Sequence, residues 1–195
     1  MKNHYVILFL LISAVNSYSQ SSNRLIVNYG ITSQILIGEH LDGAGGQDGK
    51  GGNVFGVRYI RTTTGKISLE TGLEYSRYQF SISPAFHPGI DMTARKENVE
   101  LISVPLFANY SFAKYLFVNG GLIADFQINK KTTDAVDRQS GVGLGIGFGG
   151  KYDFRNITLS INPYLQQHSI IPIEKSRNQE RLLEAGIRFG VGYRF

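Results

Sequence analysis

The fold class this chain predicts is all-β: an eight-stranded antiparallel up-and-down transmembrane β-barrel. Three observations predict it. The final segment, Glu184-Ala-Gly-Ile-Arg-Phe-Gly-Val-Gly-Tyr-Arg-Phe195, is apolar or aromatic at every odd position from Ala185 and charged or glycine at every even one. Successive strand side chains point to opposite faces, so such a strand turns one face to lipid and the other to a polar lumen. The same period-two pattern recurs in seven earlier segments, and long and short connections alternate strictly between them. Mean hydropathy is only -0.10, as expected when alternate residues alone meet lipid.

In chain order, residues 1–19 come first. They carry Lys2, an apolar run from Tyr5 to Val15, and small residues at Ser17 and Ser19, the layout of a secretory signal cleaved between Ser19 and Gln20. The run is too short for a membrane-spanning helix, which needs roughly 20 residues. Residues 20–195 then form one barrel domain. Its expected strands are Arg24 to Gly38, Asn53 to Arg61, Lys66 to Phe80, Val99 to Phe112, Leu116 to Asn129, Gly141 to Phe154, Ile157 to Gln167 and Leu182 to Phe195. Each can cross a bilayer when tilted, which takes about 9–11 residues. The long loops are Glu39 to Gly52, Ser81 to Asn98, Lys130 to Ser140 and Ser169 to Arg181; the short turns are Thr62 to Gly65, Ala113 to Tyr115 and Arg155-Asn156. External loops and tight periplasmic turns place both termini in the periplasm.

The two faces decide against a soluble barrel. One register holds Leu25, Val27, Tyr29 and Ile31, then Leu69, Leu73, Leu106, Leu122, Leu144, Ile146, Leu159, Ile187 and their neighbours, with no charge between strand ends. The opposite register holds Arg58, Glu70, Glu74, Asp125, Lys151, Asp153, Glu184 and Arg188, with Arg194 at the end. A closed dry core accepts such groups only when they are fully paired, and a lipocalin-like barrel would turn its charges outward. The charged face is therefore the lumen. Tyr59, Tyr110, Phe112, Tyr152, Phe154, Tyr193 and Phe195 fall beside the short turns or the C-terminus, as an interfacial girdle should.

Inside the lumen, a three-residue Thr63-Thr64-Gly65 loop would pair Thr62 with Lys66 and set Arg58 opposite Glu70. The expected result is a buried ion pair that fills the lumen, as side chains do in eight-stranded barrels, and not a gate. Gly141 to Gly150 alternates glycine with bulky residues. It contains a G-x-G-x-x-G match at Gly145, Gly147 and Gly150, but a dinucleotide loop needs a strand turning into a helix. Glycine here makes room in the lumen, and Arg58 of the facing second strand is its expected occupant.

Several function classes drop out. The chain has no cysteine, which excludes disulfides, thiolate metal sites and a lipidated N-terminal cysteine. The formal charge of +5 and the pI near 9.4 come from charges that alternate in sign, not from a basic stripe, so no nucleic-acid partner is expected. His168-Ser169, with Glu174 or Glu180 beyond, could be imagined as base, nucleophile and orienter. Adjacent strand residues face opposite ways, so no catalytic residue and no enzyme activity is expected. His4, His40, His87 and His168 are scattered, and neither a metal site nor a cofactor is expected.

Val99-Glu-Leu-Ile-Ser-Val-Pro-Leu-Phe-Ala-Asn-Tyr-Ser-Phe112, a tight turn, and Tyr115-Leu-Phe-Val-Asn-Gly-Gly121 resemble the strand-Pro-strand-Tyr hairpin of the PorT-like outer-membrane β-barrel family of Bacteroidota. The specific features are Pro105, Tyr110, Gly120-Gly121 and the terminal Phe195. The resemblance spans the layout of the whole mature chain. It implies the architecture of the OmpA membrane domain and little about activity; one branch of the family is associated with type IX secretion, and no motif places this chain there. The sequence carries no further domain after Phe195, so a peptidoglycan-binding module is not expected, and Gln20 to Asn23 are too few for a plug.

The function expected is that of an integral outer-membrane protein with a structural or surface-interaction role and a closed or very narrow lumen. The alternatives are an accessory subunit of an envelope or type IX secretion machinery and, less favoured, a lipid-modifying enzyme. Expected partners are outer-membrane lipid and lipopolysaccharide, the barrel assembly machinery through the C-terminal signal Phe189, Val191, Tyr193 and Phe195, and an envelope protein at the external loops. The chain is expected to be a monomer.

Overall fold

The computed structural model describes residues 23–38, 46–83, 93–129, 137–173 and 180–195. The expected signal segment with its Ser19/Gln20 cleavage point lies outside these residues, as do His40, His87 and Glu174. The strands are β1 (Asn23–Ile37), β2 (Gln47–Thr64), β3 (Ile67–Ile82), β4 (Arg95–Ser111), β5 (Leu116–Gln127), β6 (Gly141–Phe154), β7 (Ile157–Pro172) and β8 (Arg181–Arg194). They close in chain order, β8 returning antiparallel to β1. Closure leaves no unpaired edge, so every strand has a hydrogen-bonded neighbour on both sides.

Several boundaries differ from the sequence expectation. β2 starts at Gln47 and not Asn53, β4 at Arg95 and not Val99, and β7 runs to Pro172 and not Gln167. These residues, read as loop, extend the ladder: Gln47 pairs with Ile82 and Lys96 with Ser81. The β2–β3 turn is also tighter than expected. Thr64 pairs with Ile67 around Gly65-Lys66, Gly65 taking φ 32°, and a bulge between Thr62 and Thr64 shifts the register. Arg58 consequently lies opposite Gly72, and Ile60 opposite Glu70.

The apolar register faces outward, as expected. Leu73, Leu106, Ile146 and Val191 are each more than half exposed, although all are strongly apolar. At the short-turn end the aromatic rings pack laterally: Tyr115 on Tyr152 at 5.9 Å, Phe112 on Phe148 at 6.0 Å and Tyr193 on Phe195 at 6.5 Å between centroids.

At the long-loop end the polarity of the wall reverses. Outward residues of β3 run Ile67, Leu69, Leu73, Tyr75 and then Arg77, Gln79; inward ones run Ser68, Glu70, Glu74, Ser76 and then Tyr78, Phe80. β4 mirrors it, with Lys96, Asn98 and Glu100 outward before Ile102, and Val99 and Leu101 inward before Ser103. Arg77 and Glu100 pair across the outer wall at 3.6 Å. A charged pair outside and an apolar cluster inside is the arrangement of a wall bathed in water. Tyr78, Phe80, Val99, Leu101 and Leu182, flanked by Leu36 and Ile82, form that cluster within the barrel.

The glycine ladder of β6 makes room as expected, but for other occupants. A Cβ at Gly145 would lie 2.7 Å from Phe107 Cζ, one at Gly147 2.7 Å from Asn162 Nδ2, and one at Gly149 2.7 Å from Phe117 Cε1. Arg58 reaches this layer only by stacking on Phe107, its Cζ 5.5 Å from the ring centroid. It cannot lie over the glycines because two carboxylates on the neighbouring strand hold it back.

Candidate functional site

The lumen is crossed by a ladder of ionisable side chains built on that fold. Arg58 lies over Gly72, where a side chain would press to within 2.9 Å of the Arg58 Cα. Glu70 and Glu74 flank Gly72 on the same inward face, so the guanidinium forks to both. Its Nε and Nη2 donate to the two oxygens of Glu74, each at 2.9 Å, and its Nη1 donates to Glu70 Oε1. The expected Arg58–Glu70 pair therefore forms, on a diagonal and not directly across, and it is shared with Glu74. Bidentate geometry of this kind is the strong form of the guanidinium–carboxylate contact.

From Glu74 the ladder turns towards β8. Glu74 accepts a hydrogen bond from Asn28 Nδ2 at 2.8 Å and lies 3.4 Å from Arg188 Nε. Arg188 packs on Tyr164, 3.4 Å from Cζ to centroid, donates to Gln166 Oε1 at 2.9 Å, and approaches Glu184 at 4.0 Å. Glu184 accepts from Thr32 Oγ1 at 3.1 Å, and its other oxygen lies 3.4 Å from His168 Nε2. That last contact is an ion-pair approach without hydrogen-bond alignment, since Glu184 Oε1 has no hydrogen-bond partner. His168 Nδ1 meets Asp125 Oδ2 at 2.9 Å, and Asp125 Oδ1 accepts from Ser103 Oγ at 2.6 Å. Every ionisable member is at most 5% exposed.

Of the expected lumenal charges, Arg58, Glu70, Glu74, Asp125, Glu184 and Arg188 join this ladder. Lys151 and Asp153 do not. They lie at the short-turn end, where Asp153 pairs with Arg24 at 3.2 Å and Arg194 at 3.9 Å and accepts from Thr158 Oγ1 at 2.5 Å. Lys151 Nζ donates to Ser111 Oγ at 2.7 Å. Phe189, Val191, Tyr193 and Phe195 all face outward.

His168 is the member that sequence reasoning misplaced. Alternation sets His168 and Ser169 on opposite faces, yet both are fully buried. β7 carries extra residues between the pairs Leu144–Gln167 and Val142–Ile171, and Ser169 has φ 51°. A bulge with a left-handed residue turns two consecutive side chains inward. They still do not form a nucleophile and base. Both ring nitrogens of His168 face other groups, Asp125 on one side and Glu184 with the Tyr78 hydroxyl, 3.4 Å away, on the other. Ser169 Oγ donates instead to the Ser140 carbonyl at 3.5 Å.

Glutamines close the long-loop end, and no pattern in the sequence marks them. Gln34 Nε2 donates to the carbonyls of Gly51 and Gln79 at 3.0 and 2.9 Å, capping the bulge where Gly51 adopts φ 88°. Gln139, fully buried, donates to Glu180 O and accepts from Leu182 N, each at 2.9 Å, while its own N–H donates to Gln127 Oε1 at 2.8 Å. Its side-chain amide thus stands in for a strand at the start of β8.

With the geometry established, comparison places the architecture among known ones. The fold is similar to that of the outer-membrane protein AlkL, solved in lipid bilayers, with 12% identity, 92% of each chain covered and a TM-score of 0.57. It is also similar to the outer-membrane protein OprG of Pseudomonas aeruginosa, with 11% identity, 89% of this chain and 96% of that one covered, and a TM-score of 0.59. The likeness is one of fold. No protein-family model matches the chain, and no curated protein sequence matches it.

Proposed function

We propose that this chain is an integral outer-membrane protein whose barrel is a closed scaffold presenting its long-loop end for surface contact. The observation that carries this reading is the filling of the lumen. The charge ladder reaches from β2 and β3 across to β5, the apolar cluster around Tyr78 lies beyond it, and the lumenal cavity lined by described residues at the short-turn end has a volume of about 50 Å³. At roughly 10–15 Å³ for each water, that is room for about four waters. In this reading a dissolved nutrient does not pass such a space.

In this reading the short turns and both termini face the periplasm, residues 1–19 are removed on export, and Phe189 to Phe195 present the aromatic C-terminal strand to the assembly machinery. The reversal of wall polarity at Tyr75/Arg77 supports the orientation, because an extended water-bathed wall suits the loop end, where lipopolysaccharide and external partners lie. Membership of the PorT-like family remains part of the proposal, carried by the β4–β5 hairpin with Pro105 and Gly120-Gly121. Complete closure of β1 on β8 supports a monomer. The accessory-subunit reading is favoured by one observation, the projecting β2–β4 wall with Arg77, Lys96 and Glu100 on its outer face, a rigid polar surface for an envelope protein.

Cell fractionation with liposome swelling tests the proposal. The protein should partition with the outer membrane, and proteoliposomes should exclude small sugars. Swelling in arabinose, or recovery in the soluble periplasmic fraction, would refute it. Affinity capture of intact envelope complexes separates the two readings, since a stoichiometric co-purifying envelope protein that is lost on Arg77→Glu establishes the accessory role.

A further inference from the structure

The short-turn end of the lumen carries a feature the charge ladder does not explain. Its cavity is lined by Arg24, Asn109, Ser111, Asn119, Lys151 and Arg188, among others. Arg24 is committed to Asp153, and Arg188 to Glu74. Lys151 is different: its partner is the neutral Ser111 hydroxyl, and among the described residues it makes no ion pair with a carboxylate. The lining therefore has a cation in excess. Polar atoms of the same lining also lack hydrogen-bond partners, among them the donors Arg24 Nε, Asn109 Nδ2 and Arg188 Nη1 and the amide oxygens of Asn28 and Asn119. These residues are all at least nine-tenths buried. Buried donors in folded proteins are nearly always satisfied by protein, water or a ligand. The Asn119 amide becomes another donor on rotation by half a turn, which exchanges its oxygen and nitrogen at almost no change of shape.

We propose that the short-turn end of the lumen binds one tetrahedral inorganic oxyanion, phosphate or sulfate, held by Lys151 and Arg24 with the Asn109 and Asn119 amides. Three properties select this ligand class. The surplus positive charge disfavours a metal cation, since Glu70, the carboxylate of the lining, is taken up by Arg58. The volume of about 50 Å³, room for about four water-sized oxygens, accommodates the four oxygens of such an anion. The orphaned atoms are mostly donors, the complement of an acceptor-only ligand. Access is from the mouth, where Lys151 is half-buried and the Asp153 side chain is 27% exposed. The inference depends on neither the membrane orientation nor the closed-pore reading.

The test is an NMR titration of the refolded protein in micelles, following side-chain amide resonances, with sodium phosphate and separately sodium sulfate exchanged against gluconate at constant ionic strength. Gluconate carries its charge on a planar carboxylate and lacks a tetrahedral oxyanion. Asn109 and Asn119 should shift saturably, and Lys151→Met should weaken binding by at least about tenfold, the effect of losing one charged hydrogen-bond donor, while Lys151→Arg retains it. Heat-dependent gel mobility reports whether each variant folds. Shifts that grow linearly without saturation would mean the cavity holds only water and would overturn the proposal. Saturation unchanged in Lys151→Met would place the anion elsewhere and overturn it equally.

Discussion

Replacing Glu74 with alanine should be far more damaging than replacing Glu70, although both carboxylates bind the same guanidinium. Glu74 receives two hydrogen bonds from Arg58, one from Asn28, and is the carboxylate nearest to Arg188. Without it, Arg58 keeps Glu70, but Arg188 is left with Glu184 at 4.0 Å. Opposite charges with centres about 4 Å apart attract by roughly 4 kcal/mol at an effective dielectric of 20. In the intact protein that attraction mainly offsets desolvation of both ions. Removing one partner leaves the desolvation cost uncompensated, and such losses run to about 3–5 kcal/mol. Glu70→Ala leaves the bidentate contact to Glu74 in place, so its cost should be nearer that of one charged hydrogen bond, about 1.5–3 kcal/mol. The double variant Arg58→Ala/Glu74→Ala should lose less than the sum of its two single variants, because contacting charges couple. Urea unfolding of the refolded protein in detergent micelles, followed by circular dichroism and by gel mobility, supplies the free energies. Equal losses for Glu70→Ala and Glu74→Ala, or strict additivity in the cycle, would refute the shared-fork geometry and the register behind it.

The remaining predictions concern the wall and its orientation. Leu122→Arg, in the middle of the lipid-facing belt, should cost about 2–4 kcal/mol, whereas Arg77→Leu should change stability by less than about 1 kcal/mol because that position lies beyond the lipid; comparable losses at both would mean the reversal of polarity does not mark the membrane boundary. Purified protein should migrate differently on gels when boiled and unboiled, since a closed barrel offers detergent no free edge; identical mobility would argue against closure. Protease added to intact cells should produce fragments cut between β1 and β2 or between β3 and β4, while the Arg155-Asn156 turn stays intact; cleavage at that turn would invert the topology.

What was legible in the sequence follows from period two. Alternation needs only neighbouring residues, so the outward set from Leu25 to Phe195 and the inward charges could be read directly. Pairing inside the lumen depends on stagger between strands, which a single bulge alters. The bulge between Thr62 and Thr64 moved Arg58 from Glu70 to Gly72, and the one after Gln167 turned Ser169 inward against its parity, beside His168. Ser169 at φ 51° left no trace in the sequence, since serine is not a residue that announces a left-handed backbone. The apolar cluster at the loop end, by contrast, is readable in the sequence. Tyr75-Ser-Arg-Tyr-Gln-Phe80 exchanges its polar and apolar faces in the middle of a strand, as a strand must when it leaves lipid for water. Gln34 and Gln139 had no such signal, because an uncharged polar residue near a strand end fits loop, lumen and cap alike.

Single-channel recording of the refolded protein in a planar bilayer tests the central claim most directly. A lumen crossed by the ladder from Glu70 to Asp125 and capped by Tyr78, Phe80 and Leu101 should give an unbroken baseline in concentrated potassium chloride across the accessible voltage range. Reproducible, voltage-stable conductance steps from the unmodified protein would show that ions pass where these side chains meet, and would contradict the closed barrel.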